Sequence, residues 1–199
     1  MPSGASAARL VHTIAPVYDA RSRVLLLGTF PSPKSRASGF FYGHPQNRFW
    51  RVMAAVLDVP APRSNEEKAA LMLSRRIALW DVLQSCGITG ASDASIKDPK
   101  PNDLSPILRA GDIRAIFTTG KKAFDLYEKY IKSATGIPAA AFGWYADMRE
   151  AAGAPPAQAR YRPDGATGAV YKKANEARRL LYDALDTRRL SSLLGSVCG

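Results

Sequence analysis

Residues 24–50 run VLLLGTFPSPKSRASGFFYGHPQNRFW. The four apolar residues Val24–Leu27 end at Gly28. A short continuous apolar run fits a strand buried on both faces, the pattern of a parallel sheet. From Gly28 to Asn47 the chain is rich in Pro, Ser, Gly, aromatic and amide residues, which predicts one long loop at the carboxyl end of that strand. From Arg48 to Leu57 the residues Phe49, Val52, Met53 and Val56 fall on one face of a helix.

The pattern continues outward. Ser64 with Glu67 three residues on is a capping-box signal and opens a helix to about Ser74. IALWDVL (77–83) predicts the second strand, and the polar, turn-rich segment 87–105 an exposed loop. Ile113–Phe117 is the third strand. Gly120 breaks the chain before a helix carrying Ala123, Phe124, Tyr127, Tyr130 and Ile131 on one stripe, and Ile137–Phe142 is the fourth strand. A last helix is expected over 170–185, and residues 187–199 form a loose tail. Strands alternating with helices imply a single α/β domain over 1–199, with a short, mostly parallel sheet between two helical layers. In such sheets ligands bind beyond the carboxyl ends of the strands. Both the 28–50 stretch and the turn TTGKK (118–122) sit at such ends.

The 199 residues carry 28 Lys and Arg against 17 Asp and Glu, a net charge of +11, which favours a polyanionic partner, nucleic acid first. Two cysteines, Cys86 and Cys198, cannot build a four-thiolate metal site. The amino-terminal stretch lacks the apolar core of a signal peptide, and no run of about 18 apolar residues occurs, so a cytoplasmic, nucleoid-associated protein is expected. Asp93, Asp98 and Asp103 share one loop, but not at the spacing of a known metal loop.

Gly28 to Lys34-Ser35 has the outline of a phosphate loop. A Walker motif needs Gly before its Lys, where this chain has Pro33, and Pro31 and Pro33 remove two N–H groups. Nucleotide hydrolysis is therefore disfavoured. Phe49 and Trp50 are expected in the core, whereas Phe40-Phe41-Tyr42, following Gly39 in a polar loop, suit a planar ligand stacked on one ring. Asn47, beside His44, Gln46 and Arg48, has two readings: an amide that reads a base edge or orients a water, and a helix cap.

GTFPS followed by FFYGHPQNRFW resembles the first motif of the uracil-DNA glycosylase superfamily, closest to its family 6, the hypoxanthine-DNA (DNA-deoxyinosine) glycosylases. The likeness runs from about His12 to near residue 130 and includes IALWDVLQSCGITGASDASIKDPKPND. It implies a three-layer α/β/α fold and a monofunctional, metal- and cofactor-free enzyme. Such an enzyme hydrolyses the N-glycosidic bond of a flipped, deaminated base during base excision repair, with hypoxanthine first and uracil or mismatched bases second. The expected partner is DNA, double- or single-stranded, with the protein acting as a monomer away from membranes.

By alignment with the mismatch-specific branch, Tyr42 takes the place of the aromatic that stacks under the base. Phe30 takes the place where other branches carry a water-activating Asp or Asn. The resemblance therefore gives the catalytic role to Asn47, with His44 assisting at the base. Gly28, Thr29 and Phe30 would bind the base beside Tyr42. Pro31, Ser32, Lys34, Ser35, Lys121 and Lys122 would contact DNA phosphates. The family's second motif, of the form LPSTSPAN, is absent. GAPPAQARY (153–161) is one replacement, with Gln158 as a DNA contact, and YRPDGATG (161–168) is the other; Arg160 and Arg162, in the basic stretch where the two meet, are further DNA contacts. A DNA-binding protein of the same fold without hydrolysis is the alternative that this departure leaves open.

Overall fold

The computed structural model describes residues 9–57 and 59–142. The helix expected over 170–185, both replacements for the second motif, and Gln158, Arg160 and Arg162 lie outside the described residues.

In chain order the elements are β1 (Arg9–Val11), β2 (Val24–Gly28), α1 (Pro33–Ser38), α2 (Phe49–Leu57), α3 (Asn65–Ser74), β3 (Ile77–Asp81) and β4 (Leu83–Gly87). A 3-10 turn at Asp93–Ser95 follows, then β5 (Lys97–Pro101), α4 (Ser105–Ala110), β6 (Ala115–Thr119), α5 (Lys121–Tyr130), α6 (Lys132–Thr135) and β7 (Ala139–Phe142). Among the described residues, four strands form a parallel sheet in the order β3-β2-β6-β7, and three form an antiparallel sheet in the order β1-β4-β5.

Every residue of β2 is buried, because side chains alternate between two covered faces. Val24 and Leu26 join Phe49, Trp50, Met53 and Met72 in the core under α2 and α3. Leu25 and Leu27 face the other way, onto Ile107, Ala123, Leu126 and Tyr127 of α4 and α5. The three layers expected from the alternating pattern are present.

Three local expectations need correction. The 28–50 stretch is not one loop. Ser32 caps α1, its Oγ accepting from Ser35 N at 3.2 Å, and Gly39 ends the helix at φ +68°, a conformation that suits a residue without Cβ. IALWDVL is not one strand. The chain leaves the parallel sheet after Asp81 and enters the antiparallel one at Leu83. Part of 87–105 is a strand, β5, whose exposed KDPKP sequence reads as loop because an edge strand tolerates proline and charge. Ser64 does cap α3, accepting from Glu67 N at 3.1 Å. No helix among the described residues is long and apolar enough to cross a membrane.

Candidate active site

The order β3-β2-β6 makes β2 the point where the sheet's connections reverse direction, and a crevice opens beyond such a point. A hollow of about 400 Å³ lies there. Its wall is built by Gly28–Ser32 after β2, by Phe41, Tyr42, His44 and Asn47, and by Asp81, Asp93 and Thr119.

On the β3 side, Gly28 and Asp81 are register partners at the strand ends. Asp81 is 4% exposed. Its Oδ2 lies 2.8 Å from His12 Nε2, and His12 Nδ1 accepts the backbone N–H of Ile14 at 3.2 Å. A ring nitrogen that accepts carries no proton, so Nε2 bears the hydrogen and donates to the carboxylate. His12 is held on both flanks, by His12 N donating to Gln84 O at 2.7 Å and by the Val17–Leu79 bridge. Phe30, Phe41 and Trp80 surround its ring at centroid distances of 6.0, 6.2 and 6.2 Å. The buried Asn102 donates to Asp81 O at 2.9 Å and fixes the backbone where the chain changes sheets.

Gly28 is required here by space. A Cβ at this position would overlap Asp81 Oδ1 and stand 3.1 Å from the Tyr42 hydroxyl. Next to it, Thr29 Oγ1 donates to Asp93 Oδ2 at 2.9 Å. Burial pushes the Asp93 carboxyl above its ordinary value, opposed by the Thr29 hydrogen bond and the charge of Lys122 and helped by Asp81.

On the β6 side, the Tyr42 hydroxyl bonds Thr119 Oγ1 at 2.8 Å, and its ring stacks on Phe49 at 3.8 Å between centroids. These contacts hold Tyr42 at φ +53°, a left-handed conformation that a bulky residue adopts only when its surroundings fix it. Asn47 satisfies both of its sequence readings at once. It lines the hollow, and its Oδ1 accepts from Phe49 N at 2.9 Å at the start of α2. The cap fixes the direction of the carboxamide. His44 is exposed at the rim, with Nδ1 accepting from Gln46 N at 3.1 Å.

Gly28, Thr29, Phe30, Pro31, Ser32, Ser35, Tyr42, His44 and Asn47 are thus brought together around one hollow. Ser35 is 3% exposed, and its hydroxyl bonds Ser32 Oγ and accepts from Gly43 N, so it braces the turn. Lys34 is exposed on α1. Lys121 pairs with Asp125 at 2.9 Å on the first turn of α5, beside the half-buried Lys122. Of Phe40, Phe41 and Tyr42, one of which was expected to stack on a ligand, Phe40 and Phe41 are core residues at 9% and 2% exposure, although Phe41 also reaches the hollow. The Gly39 turn, polar by its residues, carries both rings inward onto His12 and Trp50.

Sequence reasoning missed His12, Asp81 and the Thr29–Asp93 bond. One signal was available for Asp81: an acidic residue closing an apolar strand at the same end as Gly28.

Comparison with known proteins agrees with this architecture. The family model of the uracil DNA glycosylase superfamily matches residues 15–183. Two curated relatives are each named hypoxanthine DNA glycosylase. That of Methanosarcina barkeri is 32% identical over 121 residues, covering 59% of this chain and 75% of its own. That of Methanosarcina acetivorans is 32% identical over 118 residues, covering 58% and 74%. The solution structure of a Methanosarcina acetivorans protein, described as a candidate uracil DNA glycosylase, superimposes with a TM-score of 0.61 at 22% identity, over 88% of this chain and 98% of that one. At that identity the structural match speaks for the fold alone. With the family model spanning most of its length and a base-sized hollow at the reversal point of its sheet, the chain belongs to the uracil DNA glycosylase superfamily and is a DNA glycosylase.

Proposed function

We propose that this chain removes hypoxanthine from DNA containing deoxyinosine, with uracil and mismatched bases as weaker substrates, by hydrolysing the N-glycosidic bond without cutting the strand. The observation that carries the reading is the hollow itself. Its volume of about 400 Å³ accommodates a flipped purine and part of its sugar, with Phe30, Phe41 and Tyr42 as an apolar wall and Asn47, Thr29 and Thr119 as polar groups. The names of the two 32%-identical relatives support hypoxanthine as the first choice.

As the glycosidic bond breaks, positive charge grows on the sugar and negative charge on the base. The capped Asn47 carboxamide holds a fixed direction and keeps one oxygen lone pair and an N–H₂ group for water, sugar or base. Tyr42, locked between Thr119 and Phe49, gives the base a rigid neighbour. Pro31 and Ser32, at the wall of the hollow, and the more remote Lys34, Lys121 and Lys122 are the residues this reading assigns to the DNA strand flanking the flipped nucleotide. No lysine lines the hollow among the described residues, which supports hydrolysis by water over a Schiff-base route.

The test is a panel of duplexes carrying deoxyinosine, uracil or a thymine mismatch, incubated without metal and then treated with alkali to reveal abasic sites. Base release from deoxyinosine, fastest in the panel and lowered about tenfold or more in Asn47→Ala with duplex affinity retained, is the expected result. Tight binding with no abasic product from any duplex would replace the reading with lesion recognition without hydrolysis.

A further inference from the structure

Hydrolysis by water needs a group that can take a proton. Asn47 cannot: a carboxamide orients water but does not accept its proton at neutral pH. Phe30, beside Gly28 and Thr29 in the wall, offers only an apolar ring, which packs edge-on against His12 at 6.0 Å. The polar function has to come from another part of the wall.

Resting on the glycosylase reading above, we propose that Asp81 is the catalytic carboxylate that activates the attacking water, and that His12 is the positioning residue that holds it. Four observations converge on this. Asp81 is 4% exposed, yet it lines the hollow. It stands at the carboxyl end of β3, in register with Gly28 at the reversal point of the sheet. Its Oδ2 is committed to His12 Nε2 at 2.8 Å. Its Oδ1 makes no hydrogen bond among the described residues and is directed at Gly28, where only the absence of a Cβ leaves it room, and the Tyr42 hydroxyl borders the same space. A buried carboxylate that lines a hollow, with one oxygen anchored and the other without a hydrogen bond among the described residues, has the geometry of a general base. His12 holds the carboxylate through Oδ2 alone, its own ring fixed by the Ile14 N–H at Nδ1.

In the reaction, the oxygen of a water bound at Asp81 Oδ1 forms a bond to C1′ of the flipped nucleotide. The C1′–N bond breaks and its electron pair leaves with the base. One water proton passes to Asp81 and from there to solvent, while the departing base takes a proton from solvent. Water and nucleotide are the only reactants. Asn47 keeps the water and sugar in line.

Single-turnover base release from a deoxyinosine duplex tests this in the full-length chain. Asp81→Asn preserves shape and the acceptor for His12, so the fold and duplex affinity are expected to stay within about threefold of the parent while the rate falls about 100-fold or more. In Asp81→Ala, added formate is expected to restore part of the lost rate by filling the vacated carboxylate position. His12→Ala is expected to lower the rate about tenfold alone and to add nothing in the Asp81→Asn background, a non-additivity that a purely structural role would not produce. An Asp81→Asn rate within about fivefold of the parent overturns the assignment and leaves the glycosylase reading standing. If Asp81→Asn is unfolded, failure of formate to restore any rate to Asp81→Ala overturns it instead. A parent protein that releases no base from any duplex overturns both.

Discussion

Residues 28–50 and residues 79–102 wall the same hollow, yet they announce themselves very differently. Segment 28–50 concentrates unusual chemistry in the sequence: prolines, a Gly-aromatic turn, and an amide before a helix. Segment 79–102 has the composition of an ordinary strand followed by an ordinary polar loop. In the structure, 28–50 supplies Tyr42 and Asn47, side chains held in fixed directions by Thr119, Phe49 and the start of α2. The other segment supplies two carboxylates, Asp81, held by His12, and Asp93, whose carboxyl burial raises above its ordinary value. On the roles proposed above, recognition and proton chemistry divide between two segments that meet because β2 and β3 pair in parallel with Gly28 opposite Asp81.

Gly28 is the hinge of that comparison, and Gly28→Ala breaks it hardest. The added methyl overlaps Asp81 Oδ1 and crowds Tyr42, so one wall must move. We expect base release to fall about 100-fold or more and stability to drop by about 1–3 kcal/mol, the usual range for overpacking a tight interior, read as the urea midpoint beside the single-turnover rate. A parent-like rate would mean that the two segments tolerate displacement and are not jointly positioned.

A smaller effect sharpens the positioning half. Tyr42→Phe removes the bond to Thr119 Oγ1 but keeps the ring stacked on Phe49. A stability loss of about 0.5–1.5 kcal/mol is expected, with a smaller fall in base release than Gly28→Ala gives. Thermal melts with the base panel measure it.

The smallest effect lies in the titrating half and is read through pH. Burial raises the Asp93 carboxyl, so the folded protein holds that proton more tightly than the unfolded chain. The contribution to stability is present below the ordinary carboxylate range and is lost as pH rises through the folded value. Asp93→Asn removes the half-buried charge and can keep an acceptor for Thr29. Its melting temperature is therefore expected to exceed the parent's at about pH 8, and the gap to close toward about pH 3. An equal gap at both pH values would place the effect in packing.

Legibility followed the physics of each element. β2 was plain in the sequence because a strand covered on both faces must be apolar throughout, and VLLLG meets that demand in one run. α3 was plain because its cap is a local signal, Ser64 to Glu67. β5 was hidden because an edge strand needs no apolar pattern, and KDPKP has none. The break after Asp81 was hidden because apolar residues continue past it, as the chain goes from one buried sheet directly into another. Phe40 and Phe41 were misplaced because the Gly39 turn that rotates them inward leaves no trace in residue polarity.

By itself, the sequence determined the alternation of strands and helices, the end of β2 as the place where chemistry gathers, and Asn47 and Tyr42 as side chains at that place. The elements are local properties, set by periodicity, caps and turn residues, and the choice of Tyr42 and Asn47 rests on the motif's resemblance to the superfamily. Only the tertiary structure decided that His12 and Asp81, 69 positions apart, form a buried pair behind Gly28. Strand register and sheet order are long-range choices, fixed by which apolar faces close on each other, and no short stretch of the chain encodes them alone.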